Sequence, residues 1–312
     1  MDYGKILSRA WNIVWENKWL FALGFLAALG SGGSGGGGNF STSAPDNFGS
    51  QFPDNFSDMM SQMTPFLIVF ACFFILLGIA LWLLRLVGEA GMIASVDRLE
   101  GGEKLNLRDG FRAGTSYLKN MVGLSLVLYG PFLLIGLTFA VIGISFAITN
   151  LGAGDNFPVE NFGLAALCFV PLACLLVIAA LVVAFVYPMA QRGIILEGFG
   201  VMDGIRHGWQ VLRQNLVEIV LLAIIFAVIS IIVGIATLVV ALPLALIFIV
   251  PAAIAAFQGS AAFTIGTIIL GVIGVIIFIL LAAAIGSIVR AFQSTAFTLA
   301  YHYWTGKAKV QF

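Results

Sequence analysis

Charge is scarce in this 312-residue chain. Asp, Glu, Lys and Arg together make up 10% of it, where soluble domains carry about 25%. Hydrophobic residues make up 61% and the mean hydropathy is +1.06, so too little polar surface remains to cover a soluble core. That excludes a water-soluble domain. Histidine occurs twice, at His207 and His302, and cysteine three times, at Cys72, Cys168 and Cys174. The cysteines lie inside apolar runs without CxxC or Cys/His spacing, so they read as buried small hydrophobes rather than metal ligands or disulfide partners. His207 has Glu197 and Asp203 nearby in sequence, but two histidines on separate segments read as interfacial residues, not as a zinc site. No Ser-His-Asp, HExxH, GxSxG or paired-carboxylate arrangement stands in the chain. No enzyme and no cofactor are expected. The formal net charge of zero offers no electrostatic footprint for nucleic acid.

What the chain has is long apolar runs, near residues 18–36, 64–86, 121–148, 162–187, 216–241 and 262–289. Lipid offers backbone groups no water, so a span is either a helix or part of a closed barrel. Continuous runs of this length, without alternation, point to helices. The expectation is an all-α, polytopic membrane protein of six spans forming a single membrane domain over 1–312. A further apolar stretch, 242–257, contains Pro243 and Pro251; it reads as a bent helix extension or a re-entrant piece. Residues 31–63 read as a flexible external loop rich in Gly, Ser and Asn.

In this six-span arrangement all fifteen Lys and Arg fall on one side: three up to Lys18, six from Arg85 to Lys119, three from Arg192 to Arg213, and Arg290, Lys307 and Lys309. The opposite loops carry only acidic residues, Asp46, Asp54, Asp58, Asp155 and Glu160. The positive-inside rule then places both termini in the cytoplasm, with the chain a multi-pass protein of the cell membrane. The rival reading of residues 1–31 is a secretory signal peptide, but the leading region is long, amphipathic and contains Asp2 and Glu16.

A polar phrase is written twice. Asp109, Gly110, Arg112, Gly114 and Leu118 recur in order, 94 residues on, as Asp203, Gly204, Arg206, Gly208 and Leu212. The N-terminus repeats it more weakly as Leu7, Trp11 and Val14, and Asn17 and Asn215 share that second offset of 198. Each copy precedes a span, and each has one apolar face at helical spacing: Leu7/Trp11/Val14, Phe111/Thr115/Leu118 and Ile205/Trp209/Leu212. Residues 4–17, 106–119 and 202–214 therefore read as amphipathic helices lying in the membrane interface. Glu89, Gln191 and Gln293 form a second series, 102 residues apart, near the ends of spans two, four and six. Together the two series suggest three parallel hairpin repeats, about 1–103, 104–200 and 201–306, each opened by an interfacial helix.

The candidate polar cluster at the cytoplasmic span ends is Arg85, Glu89, Gln191, Arg290 and Gln293. Arg85 and Glu89, four apart on one helix face, read as a neutralised pair snorkelling to the headgroups; the alternative is an ion or proton site. Trp11, Phe111, Trp209, Tyr301 and Trp304 read as interfacial anchors, the last two in the aromatic ending AYHYWTGK.

The elbow LEGFGVMDGIRHGWQVLRQN and the ending FQSTAFTLAYHYW resemble the membrane domain found ahead of the catalytic barrel in some bacterial glycerophosphodiester phosphodiesterases, and a broader group of uncharacterised bacterial multi-pass proteins. The likeness runs over about 85–305. This chain has no soluble barrel with metal carboxylates and histidines, so the resemblance implies the helical membrane fold and a lipid-facing or scaffold role, not the activity. The first expectation is thus a non-enzymatic scaffold, or a handler of lipid or an unidentified protein partner, in contact with the bilayer. The second is a small-solute transporter or channel, and the third an intramembrane enzyme. Polar residues lining a central cavity would favour transport.

Overall fold

Apolar runs of this length leave each backbone N–H and C=O no partner but its own helix. The computed structural model describes residues 2–29, 56–151, 159–257 and 265–306, and among them there are eight helices and no strand. The helices are α1 (Tyr3–Glu16), α2 (Leu20–Leu29), α3 (Phe56–Glu100), α4 (Leu107–Leu151), α5 (Val159–Glu197), α6 (Val201–Gln214), α7 (Leu216–Phe257) and α8 (Ile265–Trp304). Among the described residues, five stretches are long and apolar enough to cross a membrane: Cys72–Glu100, Leu107–Gly143, Pro171–Glu197, Leu216–Val240 and Leu280–Trp304. The expected first crossing is described as the ten residues of α2. Helix α3 starts at Phe56, inside the expected external loop, whose residues 31–55 lie outside the described residues. Residues 242–257 continue α7 as helix rather than re-entering.

Two of the three expected elbow helices are separate elements, and one is not. Helices α1 and α6 end at Asn17 and Asn215. Each asparagine turns its side-chain amide back onto the carbonyl four residues earlier, Ile13 at 3.0 Å and Val211 at 3.2 Å, and bonds the same carbonyl with its backbone N–H. This local bonding competes with continuation of the helix, and the chain breaks there. The matching position in the middle copy is Met121, fully buried and helix-favouring, so residues 107–119 run straight into the span as part of α4. Helices α3, α5 and α8 stop before Gly102, Gly198 and Gly306, the three residues with positive φ among those described. Glycine meets this left-handed turn without a Cβ clash.

Packing explains the repeated phrase better than its apolar face does. In the two copies that carry the glycines, the side laid against the protein includes those glycines, whereas α1 packs through Ile6, Ala10, Ile13 and Val14. Gly110 and Gly114 press α4 onto α3, where a Cβ on Gly114 would collide with the backbone carbonyl of Val87. Gly204 and Gly208 press α6 onto α5, where a Cβ on Gly208 would stand 2.8 Å from the Ala190 nitrogen. Small residues let helix backbones approach closely, and in lipid this close contact is a main source of association. Trp11, Phe111 and Trp209 stay outside these contacts and are exposed, Trp11 stacked on Trp15 at 5.4 Å between ring centroids. Cys72 and Cys174, expected to be buried, are exposed on the outer stretches of α3 and α5.

Three apolar clusters hold the bundle. One joins α1, α2 and α8 with Met92, Leu222 and Phe226; a second joins α3, α4 and α5; a third joins α5 and α6 to Ile219 and Tyr301. All lie toward the end of the long helices that carries α1, α6 and the end of α8.

Candidate functional site

Between the clusters lies a cavity of about 290 Å³ bounded by α2, α3, α5, α7 and α8. Its polar lining is Arg85 and Glu89 from α3, Tyr187, Gln191 and Arg192 from α5, and Arg290, Gln293 and Ser294 from α8. All five residues of the expected polar cluster meet here. The Arg85–Glu89 pair lines this cavity. Arg85 Nε donates to Glu89 Oε1 at 2.8 Å, and Gln191 Nε2 donates to Glu89 Oε2 at 3.0 Å. One carboxylate therefore ties α3 to α5 across 102 residues of sequence. Gln293 Nε2 donates to Ser230 Oγ at 2.9 Å, joining α8 to α7.

Arg192 was not legible as part of the site. It is 4% exposed, with Nη1 donating to the Pro188 carbonyl at 2.8 Å and Nη2 to the Ser294 carbonyl at 3.2 Å. Its guanidinium lies over the Phe297 ring, 4.6 Å from the centroid, an arrangement that partly offsets the loss of water around a cation. Its Nε has no hydrogen-bond partner. Pro188 adds a second effect: lacking an N–H, it leaves the carbonyl of Ala184 without its intrahelical donor, and Ala184 lines the same cavity. Pro188, four residues before Arg192 and in an otherwise apolar run, is the signal that could have marked this stretch.

The aromatic ending behaves differently from a headgroup belt. Tyr301 is 1% exposed, and its hydroxyl donates to Glu197 Oε1 at 3.2 Å and lies 2.9 Å from His207 Nε2. Its assignment as an interfacial anchor is corrected: α5 and α6 close over it. His302, expected at the interface, is likewise buried, 3.2 Å from Asp97 on α3. Trp304 is partly buried and donates from Nε1 to Glu218 at 2.7 Å. The last turn of α8 thus fastens α3, α5, α6 and α7 in one place. Among the described residues no group of three or more His, Cys, Asp or Glu side chains gathers as a metal site would require.

A second hollow, of about 900 Å³, is a groove of opposite character. Phe21, Ala22, Phe25 and Leu26 of α2, Leu107 and Phe111 of α4 and Ala284 of α8 line it, and Arg108 is the one charged residue on its rim.

The model of a family of unknown function, DUF7544, matches residues 14–302. No curated protein and no solved structure matches the chain.

Proposed function

We propose that this chain, which belongs to the DUF7544 family, is an integral membrane protein that binds a small anionic solute in its central cavity and carries it. The observation that bears the reading is the cavity lining itself, three arginines against one carboxylate. Arginine's planar N–H donors suit the oxygens of an anion, and Arg192, buried in that lining, has an Nε with no hydrogen-bond partner. The surrounding architecture in this reading is six crossings in three parallel hairpins, with both termini on the cytoplasmic side of the cell membrane. It is supported by the common packing of α1 with the end of α8 and by the one-sided distribution of basic residues.

Two experiments test it. Equilibrium binding of inorganic phosphate, acetate and, as a cation control, choline to the purified chain should favour the anions, and Arg85→Gln/Arg290→Gln should weaken them. Counterflow of the same anions in proteoliposomes should then separate a carrier from a receptor. Choline binding with no anion binding overturns the reading. For topology, a cysteine placed in the 31–63 loop should label from outside intact cells, and Lys307→Cys only after permeabilisation.

A second reading, a non-enzymatic handler of lipid or of a partner protein, rests on the apolar groove between α2, α4 and α8, with Arg108 at its edge. The likeness to the membrane domain of glycerophosphodiester phosphodiesterases leans the same way. Leu26→Trp, which fills the groove, should alter co-purifying lipid without changing phosphate binding if both sites operate.

A further inference from the structure

We infer that the apolar groove between α2, α4 and α8 seats one anionic phospholipid, with an acyl chain along its walls and the phosphate on Arg108. The inference rests on the lipid-handling reading above and adds the headgroup and its orientation. The walls are aromatic and aliphatic side chains, and no acid stands among the lining residues. Ser287, the buried member of the lining, already gives its hydroxyl to the Ala284 carbonyl at 2.6 Å. The walls therefore offer hydrocarbon contact and no free polar group. Inside a bilayer an acyl chain gains little by leaving other chains, so the polar contact at the mouth decides which lipid stays.

That contact is Arg108. Both walls start at this end of the bundle, α2 two residues after Lys18 and α4 one residue before Arg108. Away from it the groove continues between Phe25 and Leu26, later on α2, and Ala284, earlier on α8. Arg108 is exposed, and among the described residues its guanidinium has no hydrogen bond or ion pair. Asp109, the adjacent acid, turns back and accepts from the Asn106 N–H at 3.1 Å. A planar guanidinium suits phosphate oxygens. Because no acid in the lining receives an ammonium group, an anionic headgroup is favoured over a zwitterionic one with the same phosphate.

The corresponding place elsewhere in the molecule is closed. Ninety-four residues on, Leu107, Arg108 and Phe111 are matched by Val201, Met202 and Ile205. Val201 and Ile205 pack on the cluster of α3, α4 and α5, and a Cβ on Gly123 of α4 would stand 3.2 Å from Val201. Where the helix start packs flush, the residue between is a methionine; where a groove remains, it is an arginine. The opening and the cation occur together, which a ligand site requires and imperfect packing does not.

The test is native mass spectrometry of the purified full-length chain in detergent, titrated with dioleoyl phosphatidylglycerol or dioleoyl phosphatidylcholine. The two share acyl chains and differ in headgroup charge. The unsubstituted chain should retain one phosphatidylglycerol about fivefold more strongly than phosphatidylcholine, the preference expected of one basic side chain near a membrane surface. Arg108→Gln should remove the preference while a lipid is still retained. Ala284→Trp fills the groove from an exposed position and should abolish retention of both lipids. Arg206→Gln, on α6 and outside the groove lining, should change neither. Thermal unfolding in detergent confirms that each variant is folded; should Ala284→Trp fail there, the exposed substitution Arg108→Gln still decides the inference. Equal retention of the two lipids by the unsubstituted chain, lost in Ala284→Trp, sinks headgroup selection and leaves the lipid-handling reading standing. A preference that survives Arg108→Gln, or retention that survives a folded Ala284→Trp, places the lipid elsewhere and overturns the inference. No retained lipid of either kind sinks both the inference and the lipid-handling reading, and a polypeptide displaced by Ala284→Trp in its stead assigns the groove to a partner protein.

Discussion

At one end of the bundle Ala90, Met121, Met189, Ile194, Ala296 and Ala300 have no exposed surface, whereas along the outer stretches of the same helices Leu76, Leu133, Val177 and Leu238 are each at least 60% exposed. Both regions are built on long apolar helices. They differ in the size of the side chains at helix crossings and in the company of polar groups. In the packed end, Gly88, Gly91, Gly114 and Gly208 let backbones meet, and Glu89, Arg192, Gln293 and the last turn of α8 add polar ties. In the outer stretches Gly78, Gly136, Gly143 and Gly234 have open space where a Cβ would stand. Since lipid tails are as apolar as leucine, burial of apolar surface gives helices little reason to associate there. Close packing and hydrogen bonds supply the reason at the other end.

The comparison can be broken at its strongest point first. Gly114→Leu drives a side chain into the α3 backbone at Val87 and should cost at least about 3 kcal/mol, read as loss of the folded species in thermal unfolding in detergent; Gly136→Ala in the outer part of the same helix should be neutral or slightly stabilising. Wild-type stability of the first variant would show that the close crossing is not structural. Next comes a matched pair on α7. Leu222, with no exposed surface, and Leu238, 60% exposed, should lose about 3 kcal/mol and less than about 0.5 kcal/mol respectively on substitution by alanine. Equal losses would mean that the outer stretches carry protein contacts of their own. The smallest effect belongs to the break between α6 and α7. Asn215→Met removes one side-chain hydrogen bond, worth about 1 kcal/mol, and should straighten the junction, seen as a longer distance between spin labels at Trp209 and Val228.

How far the sequence carried the reading follows the same division. Helix existence was legible, because length and continuous apolarity decide it locally. The elbow breaks were legible at Asn17 and Asn215, where a side chain acts on its own backbone, and misjudged at 106–119, where the absence of that asparagine mattered more than the apolar period. The series Glu89, Gln191 and Gln293 could be seen as a spacing, but spacing does not say which way a side chain turns. Glu89 turned inward because Gln191 was there to meet it. Tyr301 and His302 failed for the same reason: a Tyr-His-Tyr-Trp ending looks amphipathic by composition, and only the closing of α5, α6 and α3 over it makes two of the four residues core. Arg192 had no local mark beyond Pro188.

Helix α2 has a position that bears on both hollows. It is wedged between α3 and α8, with Gly88 of α3 against its backbone and its own Gly24 against the backbone of Ser287. It lends Ala27 to the arginine-lined cavity and Phe21, Ala22, Phe25 and Leu26 to the apolar groove. It is therefore a partition one helix thick and about 15 Å long, with the polar-lined cavity on one side and the apolar groove on the other. It starts three residues after the kink at Asn17, as a door leaf starts at its post. The two glycine contacts hold it close on both sides, with the Ser287 carbonyl against Gly24 and the Leu23 carbonyl against Gly88, so a larger side chain at either position would displace the wall that the two hollows share.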